Sequence, residues 1–418
     1  MSDEWEASMV NFLIMKQKTR ASALRAMALL SAAELLGMSV WFSASAVVPA
    51  LQSELHLSNS TSSWLTLAVQ IGFVAGTLLS AVFNLPDVME ARYLFAICAT
   101  AAGLTNVAFA EYVQGSTTAI ALRFFTGFFL AGVYPPGMKI MATWFRRSRG
   151  TAIGVLIGAL TLGKASPYLV NSLGTENWRT NVLVVSFLPL FAALLVALFV
   201  RKGPYSLPAA KFDITQVTKV FGNRGVRLAN FGYFGHMWEL YAMWTWIPVM
   251  IRASFAASGD SMKLAELSSF IVIGSGAAGC IIAGIMADRY GRTLVASAAM
   301  IMSGACCLVI GFFFQQDPLL LLILAAIWGA SVVADSAQFS TCVTELGDPQ
   351  YIGTALTLQT CVGFLLTTIS IHLIPSFVAA VGWRYAFVIL APGPAFGVLS
   401  MLRLRGLPEA AKIAQGKR

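Results

Sequence analysis

Apolar residues run along this chain in long stretches broken by short polar or Gly/Pro turns. The runs fall at about 24–50, 64–83, 93–112, 117–143, 151–173 and 179–200, then resume at about 227–251, 264–287, 293–314, 319–345, 351–375 and 383–403. A helix needs about 20 apolar residues to cross a bilayer. Every run reaches that length, so the pattern predicts twelve membrane-spanning helices. A membrane barrel is excluded, because its strands alternate apolar and polar positions and these runs do not. The one long polar segment, residues 201–226, divides the runs into two sets of six, 24–200 and 227–403, with polar tails at 1–23 and 404–418. The first run opens among Lys16, Lys18, Arg20 and Arg25 and lacks a small-residue cleavage site. It reads as an uncleaved span rather than a secretory signal.

The two sets repeat each other. Glu34-Leu-Leu-Gly-Met-Ser-Val-Trp41 matches Glu239-Leu-Tyr-Ala-Met-Trp-Thr-Trp246 at an offset of 205. Ile71-Gly72 and Gly76 match Ile273-Gly274 and Gly279, and Arg149-Gly-Thr-Ala-Ile153 matches Ile352-Gly-Thr-Ala-Leu356, at offsets of 202 to 203. Matches at nearly one offset mark parallel repeats related by an axis along the membrane normal. The expected fold is an all-α membrane protein of two six-helix, pseudo-symmetric bundles.

Composition agrees: of 418 residues, 57% are apolar and only 11% charged, about half the charged share of a soluble domain. The formal charge of +9 invites a nucleic-acid reading, but its distribution does not. With the N-terminus inside, twenty-one of the 28 Lys and Arg fall in cytoplasmic segments and four outside. That is the positive-inside bias of a multi-pass protein of the plasma (inner) membrane with both termini cytoplasmic, and it calls for no nucleic-acid partner. Cys98, Cys280, Cys306, Cys307, Cys342 and Cys361 all sit within apolar runs, without the spacing of a metal site or disulfide framework. Gly274-Ser-Gly-Ala-Ala-Gly279 has the Gly-x-Gly-x-x-Gly form, but the run stays apolar beyond it, which fits close helix packing better than a dinucleotide site. With no P-loop, nucleophile elbow or metal cluster, the chain is expected to be neither an enzyme nor an ATPase and to carry no cofactor and no metal.

Three motifs carry a family resemblance. Gly284-Ile-Met-Ala-Asp288-Arg289-Tyr-Gly291-Arg292 resembles the Asp-Arg-x-Gly-Arg loop of the major facilitator superfamily, and Arg123-Phe-Phe-Thr-Gly127 resembles its Arg-x-x-x-Gly element. Trp144-Phe-Arg146-Arg147-Ser-Arg149-Gly150, downstream of Pro135 and Pro136, is similar to the usual exit of its fourth helix. The resemblance covers nearly the whole chain. It implies a secondary active transporter working by alternating access, with the first, fourth, seventh and tenth helices around a central cavity. It also implies a cytoplasmic gate at Asp288, Arg289, Gly291 and Arg292. The counterpart in the first half, Leu85-Pro-Asp87-Val-Met-Glu-Ala-Arg92, keeps an acid and a base (Asp87, Arg92) but loses the motif's core. The gate is therefore expected to be asymmetric.

An ionisable group near the bilayer centre costs about 2.5–3.5 kcal/mol on insertion scales, so each one is a functional candidate. These are Glu34 in the first run, Arg123 and Lys139 in the fourth, Lys164 in the fifth, His236 and Glu239 in the seventh and Asp335 in the tenth. Internal salt bridging is the plainer account of a set so near neutrality. Glu34 and Glu239 each precede a Met at i+4 and a Trp at i+7 (Trp41, Trp246), so acid, thioether and indole share a helix face. The resemblance would set these stripes opposite each other across the cavity, with His236 one turn from Glu239 as a proton-coupling or substrate pair. Lys164 stands about 20 Å along its helix, too deep to reach either surface. It must meet an acid (Glu34 or Asp335) or a substrate. Asp335 with Gln338 is a further candidate pair, and Trp41, Trp238 and Trp246 are candidates for an aromatic cavity wall. Arg123 and Lys139 read as structural charges.

Charge placement also excludes subfamilies. Nitrate and nitrite porters resembling this fold carry arginines in helices 2 and 8, and organophosphate antiporters carry them in helices 1 and 7. Here the second run has no charge, and the first and seventh carry glutamates. The reading is a proton-coupled transporter of a small organic solute, partnered by that solute, protons and lipid, and monomeric. A drug or metabolite efflux antiporter of the same superfamily is one alternative. A passive channel or solute-sensing receptor on the same scaffold is another.

Overall fold

The computed structural model describes the backbone of residues 2–57, 59–145, 148–174, 177–205, 212–348 and 350–418, and the side chains of all of these except 2–19, 59, 60 and 214. Arg146 and Arg147 of the fourth-helix exit motif, and Lys211 of the polar linker, lie outside the described residues. Within them the chain is helical, with no strand. The twelve long helices are α1 (Arg20–Met38), α2 (Thr61–Val82), α3 (Ala91–Tyr112), α4 (Ser116–Ala142), α5 (Arg149–Ser172), α6 (Trp178–Phe199), α7 (Arg224–Ser258), α8 (Met262–Tyr290), α9 (Arg292–Phe313), α10 (Pro318–Leu346), α11 (Ile352–Val381) and α12 (Trp383–Arg405). Eleven are long and apolar enough to cross a membrane. The exception is α7, whose 35 residues include Arg224, Arg227, His236, Glu239 and Arg252. It packs on α8, α10, α11 and α12, which bury His236, Glu239 and Arg252 against protein, while Arg224 at its first residue is exposed.

The helices form two six-helix bundles, α1–α6 and α7–α12, which meet along two seams, α5 against α8 and α2 against α11. Glycine makes the first seam close. A Cβ at Gly154, Gly158 or Gly284 would stand 2.6, 3.0 and 2.8 Å from the backbone oxygens of Cys280, Ala277 and Gly150. The Gly-x-Gly-x-x-Gly stretch serves the same purpose inside the second bundle, where a Cβ at Gly279 would collide with the Ala330 carbonyl of α10.

Several ends differ from those the hydropathy pattern suggests. α1 extends a helix that begins at Ser2. The polar linker contains a 3-10 turn, Ile214–Gln216, and a short helix, Val217–Gly222. Asp213 accepts from the Thr215 hydroxyl and amide and from Gln216, and these bonds hold its carboxyl below the usual range. The C-terminal stretch is not a free tail. Its segment Pro408–Gly416 lies against the C-terminal half of α10 (Ser336–Leu346), burying Ala410 and Ile413.

Five of these helices break along their length: α1 after Met38, α4 at Ala131–Val133, α8 at Ser275, α10 at Asp335 and α12 at Phe387–Ala391. Broken helix is tolerated in a bilayer only where protein or a cavity takes over the freed backbone groups. For α1, Arg123 of α4 does so. Fully buried, it donates from Nη1 to Val40 O (3.1 Å), Ser43 Oγ (3.0 Å) and Asn106 Oδ1 (3.1 Å), and from Nη2 to Trp41 O. Arg123→Leu is expected to lower the thermal-unfolding midpoint in detergent, by the equivalent of about 1–3 kcal/mol per carbonyl left bare. Arg92→Leu, whose partner Glu90 is exposed, should leave that midpoint unchanged.

Candidate functional site

A small central cavity of about 50 Å³ lies where the bundles meet, room for roughly three to five water-sized groups. Its wall draws on both bundles: Met38 of α1 and Trp41 in the turn after it, Tyr134 of α4, Lys164 of α5, and Tyr233, Met237, Leu240, Tyr241 and Trp244 of α7, with Ser336 of α10 and Phe364 of α11 among the rest. The α7 contribution follows i, i+4, i+7, i+8 and i+11, one face of a helix.

Lys164 is the one formally charged side chain on that wall among the described residues, and it is 2% exposed. Its ammonium stands 3.9 Å from the Trp41 ring centre, 4.6 Å from that of Tyr241 and 5.2 Å from that of Trp244. It donates a hydrogen bond to the Tyr241 hydroxyl. Stacked around it, Trp41, Phe73, Tyr241 and Phe364 join three helices and the turn after α1, with centroid distances of 4.5–5.9 Å. A desolvated cation over such rings gains about 2 kcal/mol. Neither Glu34 nor Asp335 bridges to it.

Glu34, one turn before Met38, is wholly buried, and neither carboxylate oxygen has a hydrogen-bond partner. It occupies a slot that Gly137 of α4 leaves open, since a Cβ there would strike Oε1. The glutamate stripes do not face each other across the cavity. Glu239 turns away, toward α9 and α10, and accepts from Ser303 Oγ (2.9 Å), Cys307 Sγ (3.1 Å) and Trp328 Nε1 (2.6 Å). Nor does His236 pair with Glu239. Its Nδ1 stands 2.8 Å from Asp335 Oδ1, at the break of α10, and its Nε2 3.1 Å from Ser336 Oγ on the cavity wall. The spacing along α7 put the two residues one turn apart, but its neighbours decide where each points.

Of the aromatic candidates only Trp41 lines the cavity. Trp238 donates to Ile389 O (3.1 Å) near α12, and Trp246 to Ile371 O (2.9 Å) of α11, so both indoles lock helices within the second bundle. Gln338 is also elsewhere, accepting from Arg292 at 3.3 Å.

The loop motif joins the bundles at one face. Asp288 Oδ2 accepts from the Thr151 amide (3.0 Å) and hydroxyl (2.9 Å) at the start of α5, a carboxylate set against a helix N-terminus. Arg292 holds Glu345 through two hydrogen bonds, 3.0 and 2.9 Å. The C-terminal segment lies across the group, with Ala414 N donating to Glu345 (3.0 Å) and Lys417 Nζ to Asp288 O (2.7 Å). Gly291, at φ +101°, leaves no room for a Cβ beneath Arg418 O. Arg289 is exposed beside Tyr290. In the first half Asp87 pairs instead with Lys139 of its own bundle (2.5 Å), and Arg92 with neighbouring Glu90 (2.7 Å).

At the opposite face Arg252 pairs with Glu266 (2.8 Å) and reaches the Ala46 carbonyl of the first bundle (3.3 Å). There too Glu54 accepts from Trp178 (2.6 Å) and Arg179 (2.5 Å), donors that hold its carboxyl below the usual range. Sequence reasoning passed over Arg252, because the apolar run stops one residue short of it. It also passed over Tyr241 and Tyr233, whose hydroxyls a hydropathy count ignores; the one-face periodicity of α7 was the available signal. Among the described residues no group of three His, Cys, Asp or Glu could hold a metal ion.

Comparison with known proteins agrees with this architecture. The family model for the Major Facilitator Superfamily matches residues 29–229 and again residues 229–418. The chain belongs to that superfamily of transporters. A curated relative, the MFS transporter asaE of Aspergillus flavus, is 25% identical over 263 residues, 60% of this chain and 55% of that protein. The chain thus spans about half the length of that relative. Among solved structures, the proton:xylose symporter XylE aligns with a TM-score of 0.71 at 16% identity, covering 92% of this chain and 95% of that one. The nucleoside transporter NupG aligns at 0.67 and 16%, covering 91% and 99%. At such identities these two show the fold alone.

If the Asp288–Thr151 contact holds the α5–α8 seam, Asp288→Ala should loosen it from that face. Cys280, buried in the seam, should then be alkylated by N-ethylmaleimide several-fold faster than in the parent, as read from peptide masses. An unchanged rate would remove Asp288 from the seam's support.

Proposed function

We propose that this protein is a proton-coupled secondary active transporter that carries a small organic solute through the central cavity by alternating access. The observation that carries the reading is a cavity shared between two bundles that also touch beyond it on both faces, through Asp288–Thr151 on one and Arg252–Ala46 on the other. A rocking of the bundles that parts one contact set while keeping the other would open the cavity to one side at a time. The superfamily assignment supports transport, and the fold it shares with a proton:xylose symporter is compatible with coupling.

Glu34 is the proposed proton carrier. A buried carboxylate with no donor is the costliest group in the site to keep charged, and Glu34 lies one turn before Met38 of the cavity wall. The His236–Asp335 pair, tied to the wall through Ser336, is the proposed second participant. Glu239 is assigned a structural role, since three donors already satisfy it.

Counterflow in proteoliposomes, with a solute that binds the purified protein, tests transport itself: a channel or receptor gives no exchange stimulated by trans solute. Glu34→Gln should keep exchange and lose uptake driven by a pH gradient. Glu239→Gln should keep driven uptake while losing about 1–3 kcal/mol of stability to the mispaired amide. Driven uptake that survives Glu34→Gln but not Glu239→Gln would reverse the two assignments.

A further inference from the structure

We propose that the solute is a small organic monoanion, a carboxylate on a compact apolar body, which binds Lys164 in place of the Tyr241 hydroxyl. The proposal rests on the transport reading for the cavity's purpose and on the wall chemistry for the solute's class. The cavity wall carries one base, Lys164, and, among the described residues, no carboxylate. An ammonium has three donors, and Lys164 uses one on Tyr241. The ring faces around it stabilise the charge but accept no conventional hydrogen bond. Two N–H groups are left for an anionic acceptor, and a carboxylate oxygen is also a stronger partner than the phenol for the third, so a bound anion competes with Tyr241 for the ammonium.

The same wall selects against other classes. A cation or the ammonium end of a zwitterion would meet Lys164 and have no lining acid, and like charges in a desolvated site repel strongly. A dianion would leave one charge unpaired, because no second base lines the cavity. A sugar of about a dozen heavy atoms exceeds the space, although three tyrosines, Ser336, Ser340 and Thr360 also line it. The space of about 50 Å³ matches a solute of a few heavy atoms.

The substitution links occupancy to movement. Lys164 belongs to α5 of the first bundle and Tyr241 to α7 of the second, so their hydrogen bond ties the bundles at mid-depth. An anion that takes the ammonium from Tyr241 dissolves that tie and leaves the bundles free to rock.

The test uses the full chain purified in detergent and the thermal-unfolding midpoint as readout, because a ligand that binds the folded state raises it. Acetate, propionate, lactate and butyrate are each compared with the matching amide, and butyrate also with butylamine. At least one carboxylate is expected to raise the midpoint where its amide does not. Lys164→Met should abolish that rise, Lys164→Arg should keep part of it, and Tyr241→Phe should keep it, since the displaced hydroxyl is not the anion's partner. If no acid exceeds its amide, if butylamine acts as well as butyrate, or if the rise survives Lys164→Met, the proposal is overturned. The acid–amide comparison on the unaltered chain decides even where Lys164→Met fails to fold. An anion response that follows Lys164, with no counterflow of the same labelled anion, would uphold the anion site and overturn the transport reading.

Discussion

A lysine ammonium held in the middle of an apolar interface sets the terms for the rest of this structure. Lys164 has no route to either surface and no carboxylate bound to it, so its surroundings must make the charge tolerable. They do so with aromatic faces drawn from both bundles and one phenol hydroxyl. Because those rings come from the turn after α1 and from α7, accommodating the charge also brings the bundles together at mid-depth. The packing of α5 on α8, with glycines in place of side chains, lets the lysine reach across. A charge that costs energy to bury thereby becomes the place where the two halves sense each other.

The remaining buried charges divide by how fully they are satisfied. Arg123 and Glu239 have several partners each, and those partners are the carbonyls of a broken helix or the side chains of adjacent helices. Such groups hold the bundles in shape. Glu34 has none, and Asp335 shares a single contact with His236 beside the cavity wall. The same rule orders the helix breaks. The α1 break is sealed by Arg123, while the α10 break leaves Asp335 free for His236 and places Ser336 at the wall.

The two loop motifs show how related sequences come to act differently. Asp288 lies over the start of α5, in the opposite bundle, and its own loop is buttressed by Arg292, Glu345 and the C-terminal segment. Asp87 lost the surrounding glycine and arginine, and it pairs with Lys139 beside it. At the start of α11, where the symmetric contact would fall, Thr354 accepts from the Asp213 amide of the linker. The asymmetry expected from the degraded motif is thus present in the contacts, with the linker occupying the second site.

Much of this was legible in the amino-acid sequence. Run length and periodicity determined twelve helices, the repeat offset determined two bundles, and the motifs determined the superfamily. The isolated charges marked which residues to examine, because any charge at membrane depth must have a reason to be there. What the sequence left undecided was direction. Residues sharing a helix face share it only within that helix, and a face some 100° wide touches several neighbours. So Glu239 and Glu34, alike in their local stripes, point to different places, and His236 meets Asp335, about a hundred residues on, rather than the glutamate one turn away. Trp238 and Trp246 likewise turn to α12 and α11, while Tyr241, invisible to a charge count, takes the lysine. Helix count and symmetry follow from the free energy of burying apolar length, which is additive along the chain. Which buried polar group finds which partner depends on the rotation and crossing of packed helices, and only the tertiary structure decides that.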